Sequence, residues 1–241
     1  MAALEDSSFG RVIGVLVSPV KTFRSIAERP TWVAPLLLLL IVATAGSVLT
    51  SQRMDKEDMR RSIKERMEKS QGGQASPEQI ERGVAMGEKI GAVTRWLVPL
   101  FILVVDLLVA SLFFAAFRFF AGSSISYKTS FAVAMHAYIP ALVAALLALP
   151  LILSRQTITM KEAQEGSILA SNLGALAPQS LGPAARALLS SVDFFSLWTV
   201  CLMIVGYRIA AKVSTTVAAA VVLSLWVLYI ALKVGMVALF Q

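Results

Sequence analysis

Four long apolar stretches constrain this chain more than anything else in it: Leu36 to Val48, Leu97 to Ala121, Phe131 to Leu153, and Phe194 to Phe240. About 20 apolar residues, at 1.5 Å rise each, cross a hydrocarbon core of roughly 30 Å. The last stretch has room for two crossings and divides at Arg208, Lys212 and Ser214-Thr215-Thr216. The chain therefore reads as all-α: a polytopic membrane helix bundle with five transmembrane helices and an amphipathic amino-terminal interfacial helix. The expected spans are about 32–50, 97–121, 130–153, 193–211 and 216–239. Residues 1–31 form the interfacial segment and 32–241 one membrane domain with hydrophilic loops at 51–96 and 154–192; no further domain is expected after the fifth span.

Composition agrees. Only 15% of the 241 residues are charged and mean hydropathy is +0.73, where a soluble domain carries about 25% charged residues. The net charge of +7 does not point to nucleic acid. The Lys and Arg residues flank spans, and no basic stripe is interleaved with aromatics. Membrane lipids are the expected contact. Cys201 is the single cysteine, so no disulfide forms within the chain. The residues before the first span include Pro19, Pro30 and several charges, a poor match to a cleavable signal peptide; that span is expected to be retained.

In residues 8–28, Phe9, Val12, Ile13, Leu16, Val20, Phe23 and Ile26 recur at helical spacing, with Arg11, Lys21 and Arg24 off that stripe. Such a segment either lies in the interface plane, basic face toward anionic headgroups, or packs on the end of the bundle. Pro19 should divide it into two short helices. Trp32 stands at the start of the first span as an interfacial anchor.

Loop 51–95 holds ten Lys/Arg and eight Asp/Glu, with opposite charges three to four residues apart, as in Arg61 with Glu65 and Glu65 with Lys69. That pattern favours a solvated helix. Gln71-Gly72-Gly73 should end it. Ser76-Pro77-Glu78-Gln79 should start another, with Ser76 as N-cap and Gln79 completing a capping box. Gly83, Gly87 and Gly91 then line one face as a potential packing groove, and a kink is expected near Pro99. Loop 154–192 is punctuated by Gly166, Gly174, Pro178, Gly182 and Pro183, the last opening a short amphipathic helix. Basic residues on short connections (Arg118, Lys128, Arg208, Lys212) favour an amino terminus inside and a carboxyl terminus outside.

The order of these features resembles a known family. "SPVKTFRSIAERPTWVAPLLLL" precedes the first span, the third carries "SFAVAMHAYIPALVAALLALP" with Tyr138 and Pro140, and the fourth opens "SVDFFSLWTVCLMIVGYRIA" with Asp193, Trp198 and Gly206. The set is similar to the prokaryotic branch of the Yip-one domain family, named for Ypt/Rab-interacting membrane proteins. The resemblance covers nearly the whole chain. It implies five spans, a cytosolic amino end and residence in a bacterial cytoplasmic (inner) membrane. Eukaryotic members resemble vesicle-traffic adaptors that contact small GTPases. Their longer amino-terminal region and its Asp-Leu-Tyr-Gly-Pro-type motif are absent here, so small GTPase binding does not carry over to this chain.

Ionisable residues inside spans mark pairing or function. Asp106 lies about 14 Å into the second span and Lys233 about 9 Å from the end of the fifth. These matching depths predict an Asp106–Lys233 ion pair that fixes helix register, or else a proton or ion relay; Lys233 alone would snorkel to the interface. His136, the only histidine, is expected to hydrogen-bond within the bundle, since it cannot build a zinc site without further ligands. Asp193 suits the positive end of the fourth helix, and Arg118 and Trp198 are interfacial anchors.

No His-Glu-x-x-His, Gly-x-Ser-x-Gly or Gly-rich nucleotide loop occurs. No enzyme activity, metal or cofactor is expected. The expected function is that of a non-catalytic membrane adaptor or organiser, working through lipid, a membrane-protein partner or a homo-oligomer. The alternative is a transporter or channel component using Asp106 and Lys233. Few polar residues within the spans and no clear inverted repeat count against it.

Overall fold

The computed structural model describes residues 7–70, 76–165, 168–178 and 180–239. The Gln71-Gly72-Gly73 stop and Gly166 lie outside them. Among the described residues every regular element is a helix. In chain order these are α1 (Ser8–Val17), α2 (Pro19–Glu28), α3 (Val33–Gln52), α4 (Lys56–Ser70), α5 (Pro77–Ala115), α6 (Tyr127–Ala137), α7 (Ile139–Ser154), α8 (Met160–Glu165), α9 (Pro183–Ser190), α10 (Phe194–Ala210) and α11 (Thr215–Leu239).

Among the described residues four helical segments are long and apolar enough to cross a membrane: Val33–Gln52, Pro77–Phe120, Tyr127–Ser154 and Thr215–Leu239. The fifth apolar helix, Phe194–Ala210, is shorter at 17 residues, about 25 Å long at helical rise. The third segment is not one straight rod. α6 stops at Ala137 and Tyr138 forms a turn whose N–H reaches both Ala134 and His136 carbonyls. Pro140, at the second position of α7, has no N–H to carry the helix through. α5 ends in a π-helical turn, Ala116–Phe120, before Gly122, whose φ of 63° suits a residue without Cβ.

The chain divides into two compact units. The first comprises residues 1–40, 102–144 and 170–241. Its core is built by α2, α6, α10 and α11 around Phe23, Ile26, Phe117, Val133 and Tyr207, all fully buried or nearly so. Tyr207 is sandwiched between Phe113 and Phe117, with ring centroids 4.8 Å away on each side. Its hydroxyl donates to the Ser130 carbonyl at 3.1 Å. Ser130 Oγ in turn donates to the Ala110 carbonyl at 3.0 Å. Three helices are thereby joined by aromatic stacking and buried hydrogen bonds, the two forces that remain when lipid surrounds a bundle.

The second unit comprises residues 41–101 and 145–169. α4 meets α5 at two of the predicted glycines: a Cβ at Gly83 would stand 2.6 Å from Met67 Sδ, and one at Gly87 2.9 Å from Ile63 Cδ1. Gly91 has nothing within 4 Å and takes no part. Arg60 bonds Glu81 at 2.7 Å across the same pair of helices. Ser76 and Gln79 form the reciprocal cap at the start of α5. Residues 155–162 close onto this unit through a parallel bridge of Met54 with Ile158, the Asp58 carboxylate accepting from the Met160 N–H at 2.8 Å, and an Arg53 side chain donating to the Arg155 carbonyl.

Candidate functional site

Pro19 divides the amino-terminal segment as its missing N–H demands. Ser7 caps α1 by accepting from the Gly10 N–H, and Pro19 opens α2. The two helices fold into a hairpin that packs on α6 and α10. Phe23 and Ile26 are fully buried. The contact with α10 is so close that a Cβ at Gly206 would stand 2.9 Å from Phe23 Cε1 and 2.7 Å from Val133 Cγ1.

The single apolar stripe read from sequence is therefore two faces. Val12, Val15, Phe23 and Ile26 face the bundle, whereas Phe9, Ile13 and Val17 are 65, 66 and 76% exposed. Phe9, Ile13 and Val17 follow one another at a spacing of four along α1, a line turned away from Val12 and Val15 on the same helix. Arg11 also departs from the reading that puts it on a headgroup-facing surface. It is 3% exposed, and its guanidinium donates to the Arg29 carbonyl at 2.7 Å and the Thr31 hydroxyl at 3.0 Å. It ties α1 to the entry of α3. Lys21, Arg24 and Arg29 remain exposed. Trp32 packs edge-on against Phe131 with centroids 5.4 Å apart.

The structure does not bring Asp106 and Lys233 together. Lys233 Nζ donates to the hydroxyls of Ser191 at 3.0 Å and Ser190 at 3.3 Å, so the lysine ties α11 to α9. Asp106 shares the buried face of α5 with Ala110 and Phe113, and its Oδ2 has no hydrogen-bond partner. Among the described residues no ion pair joins it to any cation. Equal depth along two helices does not fix rotation about either axis, and Lys233 finds nearer partners at the end of the loop before α10.

His136 is fully buried and its Nδ1 lies 2.9 Å from the Ala132 carbonyl, while Nε2 has no partner. Asp193 accepts from the Phe195 and Ser196 N–H groups, and Ser196 Oγ accepts from the Asp193 N–H, a full capping box for α10. Trp198 packs on Phe194 with centroids 5.8 Å apart, and the Arg118 guanidinium lies 5.9 Å over the Phe114 ring. Tyr138 and Pro140 form the break between α6 and α7. Among the described residues no cluster of His, Cys, Asp and Glu could hold a metal ion. Phe23 belonged to the apolar stripe read from the sequence, whereas Tyr207 and Ser130, which join the helices here, were not singled out by sequence reasoning.

The Yip1 domain model matches residues 13–236, from within the docked hairpin to near the end of the last helix. This chain belongs to the Yip1 domain family. The match covers nearly the whole length, so the Yip1 domain here takes in the hairpin's second helix, nearly all of the apolar helices that follow it and both hydrophilic loops. No curated protein and no solved structure matches the chain. This Yip1 domain is a multi-pass membrane protein of apolar helices.

Proposed function

We propose that this chain is a non-catalytic membrane adaptor or organiser of a bacterial cytoplasmic membrane, its working surface the amino-terminal hairpin and its amino end on the cytoplasmic side. One observation carries the reading: α1 and α2 have two apolar faces. A helix pair docked only to complete the bundle needs one. The second face, Phe9, Ile13 and Val17 of α1, is exposed, and so are Lys21 and Arg24 of α2. An apolar ridge flanked by cations fits the boundary between acyl chains and anionic headgroups. The Phe23–Gly206 contact holds the ridge on a rigid base, which removes most of the ordering cost of binding.

A transporter reading has one observation in its favour, the buried Asp106 oxygen without a partner. Both readings meet in one experiment. The chain is extracted with its surrounding lipid into polymer nanodiscs, as wild type and as Lys21→Glu/Arg24→Glu. Loss of copurifying anionic lipid in the variant is the expected result. Equal lipid recovery from both overturns the reading. Ion flux in liposomes that disappears with Asp106→Asn establishes transport instead.

A further inference from the structure

Asp106 is the only ionisable residue of the run 96–117. The nearest charges along its own chain are Arg95, 11 residues before it, and Arg118, 12 residues after it, about 16 and 18 Å away at helical rise. Wherever the membrane boundaries fall on this run, the carboxyl lies deep within it. Packing closes it in. Leu103 and Ala110 stand one turn before and one turn after Asp106 on the same face of α5. Both pack into the cluster that holds Leu36 of α3, Met135 of α6 and Tyr138. Asp106 is 7% exposed, and its Oδ2 is buried without a hydrogen-bond partner.

Among the described residues nothing offers this carboxylate a counter-charge. α3 and α7 carry no charged residue. α6 carries Lys128 and His136; Lys128 is exposed in the first turn, and the His136 ring lies against the Ala132 carbonyl. Lys233 of α11 is engaged by Ser190 and Ser191. Tyr138 is within electrostatic reach of Asp106, and Tyr229 of Tyr138, but a tyrosine brings no positive charge. A carboxylate kept out of water and away from any cation is strongly unfavourable, and an ionisable group inside a span calls for a partner. Here the partner has to come from outside the chain. It carries a single positive charge, because a divalent ion would leave one charge uncompensated. It is small, because a side chain 7% exposed leaves no opening for an organic cation.

We infer that Asp106 binds a small monovalent cation, a proton or an alkali metal ion, within the apolar layer. The site is separate from the hairpin ridge, and it stands whether or not the ion crosses the membrane; a null flux result or an unchanged lipid recovery leaves it in place.

The test compares wild type with Asp106→Asn, each melted in nanodiscs. Sodium or potassium replaces choline at constant ionic strength, and a second series varies pH in choline alone. A ligand that binds only the folded state raises the melting temperature as its concentration rises. Wild type is expected to gain several degrees with an alkali ion, which identifies a metal ion, or with falling pH alone, which identifies the proton. Asp106→Asn is expected to lose that gain. A response equal in the two proteins, or none in either, overturns the site. Should Asp106→Asn not fold, dicyclohexylcarbodiimide, which partitions into the apolar layer and reacts with protonated carboxyl groups, decides the matter on wild type. In choline at neutral pH it is expected to modify Asp106, and an alkali ion that is the ligand is expected to slow the reaction several-fold. No adduct at Asp106 overturns the inference.

Discussion

Phe23 lies against Gly206 across 183 residues of sequence, so close that a methyl group on the glycine would stand 2.9 Å from the ring edge. That contact fixes the amino-terminal hairpin to α10. Gly206→Ala is expected to cost about 1–3 kcal/mol, the range for overpacking a filled core. The melting temperature in detergent should fall, and protease should cut earlier between residues 28 and 33. An unchanged melt with an intact hairpin would show that the ring has room to move.

Tyr207 works in two ways, and substitutions separate them. Tyr207→Phe keeps the stack between Phe113 and Phe117 and removes only the bond to Ser130, for about 0.5–1.5 kcal/mol. Tyr207→Ala also empties the ring's place and should cost about 3–5 kcal/mol. Equal losses in thermal melts would assign the whole effect to the hydroxyl.

Asp106 and Lys233 should behave independently. In a double-mutant cycle, Asp106→Asn and Lys233→Gln are expected to add within about 0.5 kcal/mol. Lys233→Met alone should speed hydrogen exchange over Pro183–Ser190, because it removes the donor to Ser190 and Ser191. A coupling above about 1 kcal/mol would restore the ion pair.

Glu162 makes the residue 155–162 closure sensitive to acid. The Thr159 N–H at 3.0 Å, assisted by the Thr159 hydroxyl and Arg155, holds its carboxyl below the usual carboxylate range against an opposing effect of burial. A carboxyl depressed in the folded state stabilises that state above its unfolded pKa and loses the contribution as pH falls through the folded value. Hydrogen exchange over residues 155–165 should therefore rise as pH drops below the carboxylate range. Glu162→Gln should flatten the profile; a profile unchanged by it would remove Glu162 as the source of the acid sensitivity.

Local features were legible in the sequence. Ser76 with Gln79, Asp193 with Ser196, and Pro183 are caps whose partners lie within a few residues, so type and spacing suffice. The apolar lengths were enough to read five helices, and the glycine spacing in α5 marked two real contacts. Distant partners were not legible. Arg11 looked like a surface cation because its acceptors, Arg29 and Thr31, belong to the turn before α3. Lys233 looked like the partner of Asp106 because depth can be counted along a helix, whereas rotation about its axis depends on packing. The amphipathic stripe was misread as one face because Phe9 and Ile13 lie on a different side of α1 from Val12, and which side meets the bundle depends on packing that residue spacing does not record.

The Phe23 contact also imposes an order on synthesis. The hairpin leaves the ribosome before α10, and its seat there is made about 180 residues later, some ten to forty seconds at ordinary elongation rates of roughly 5–20 residues per second. Through that interval Phe23 and Ile26 have no bundle to enter and must rest on lipid or an insertion factor. A segment made well before α10 is seated only once α10 exists, so a stalled or truncated chain lacking Gly206 displays both apolar faces of the hairpin at once.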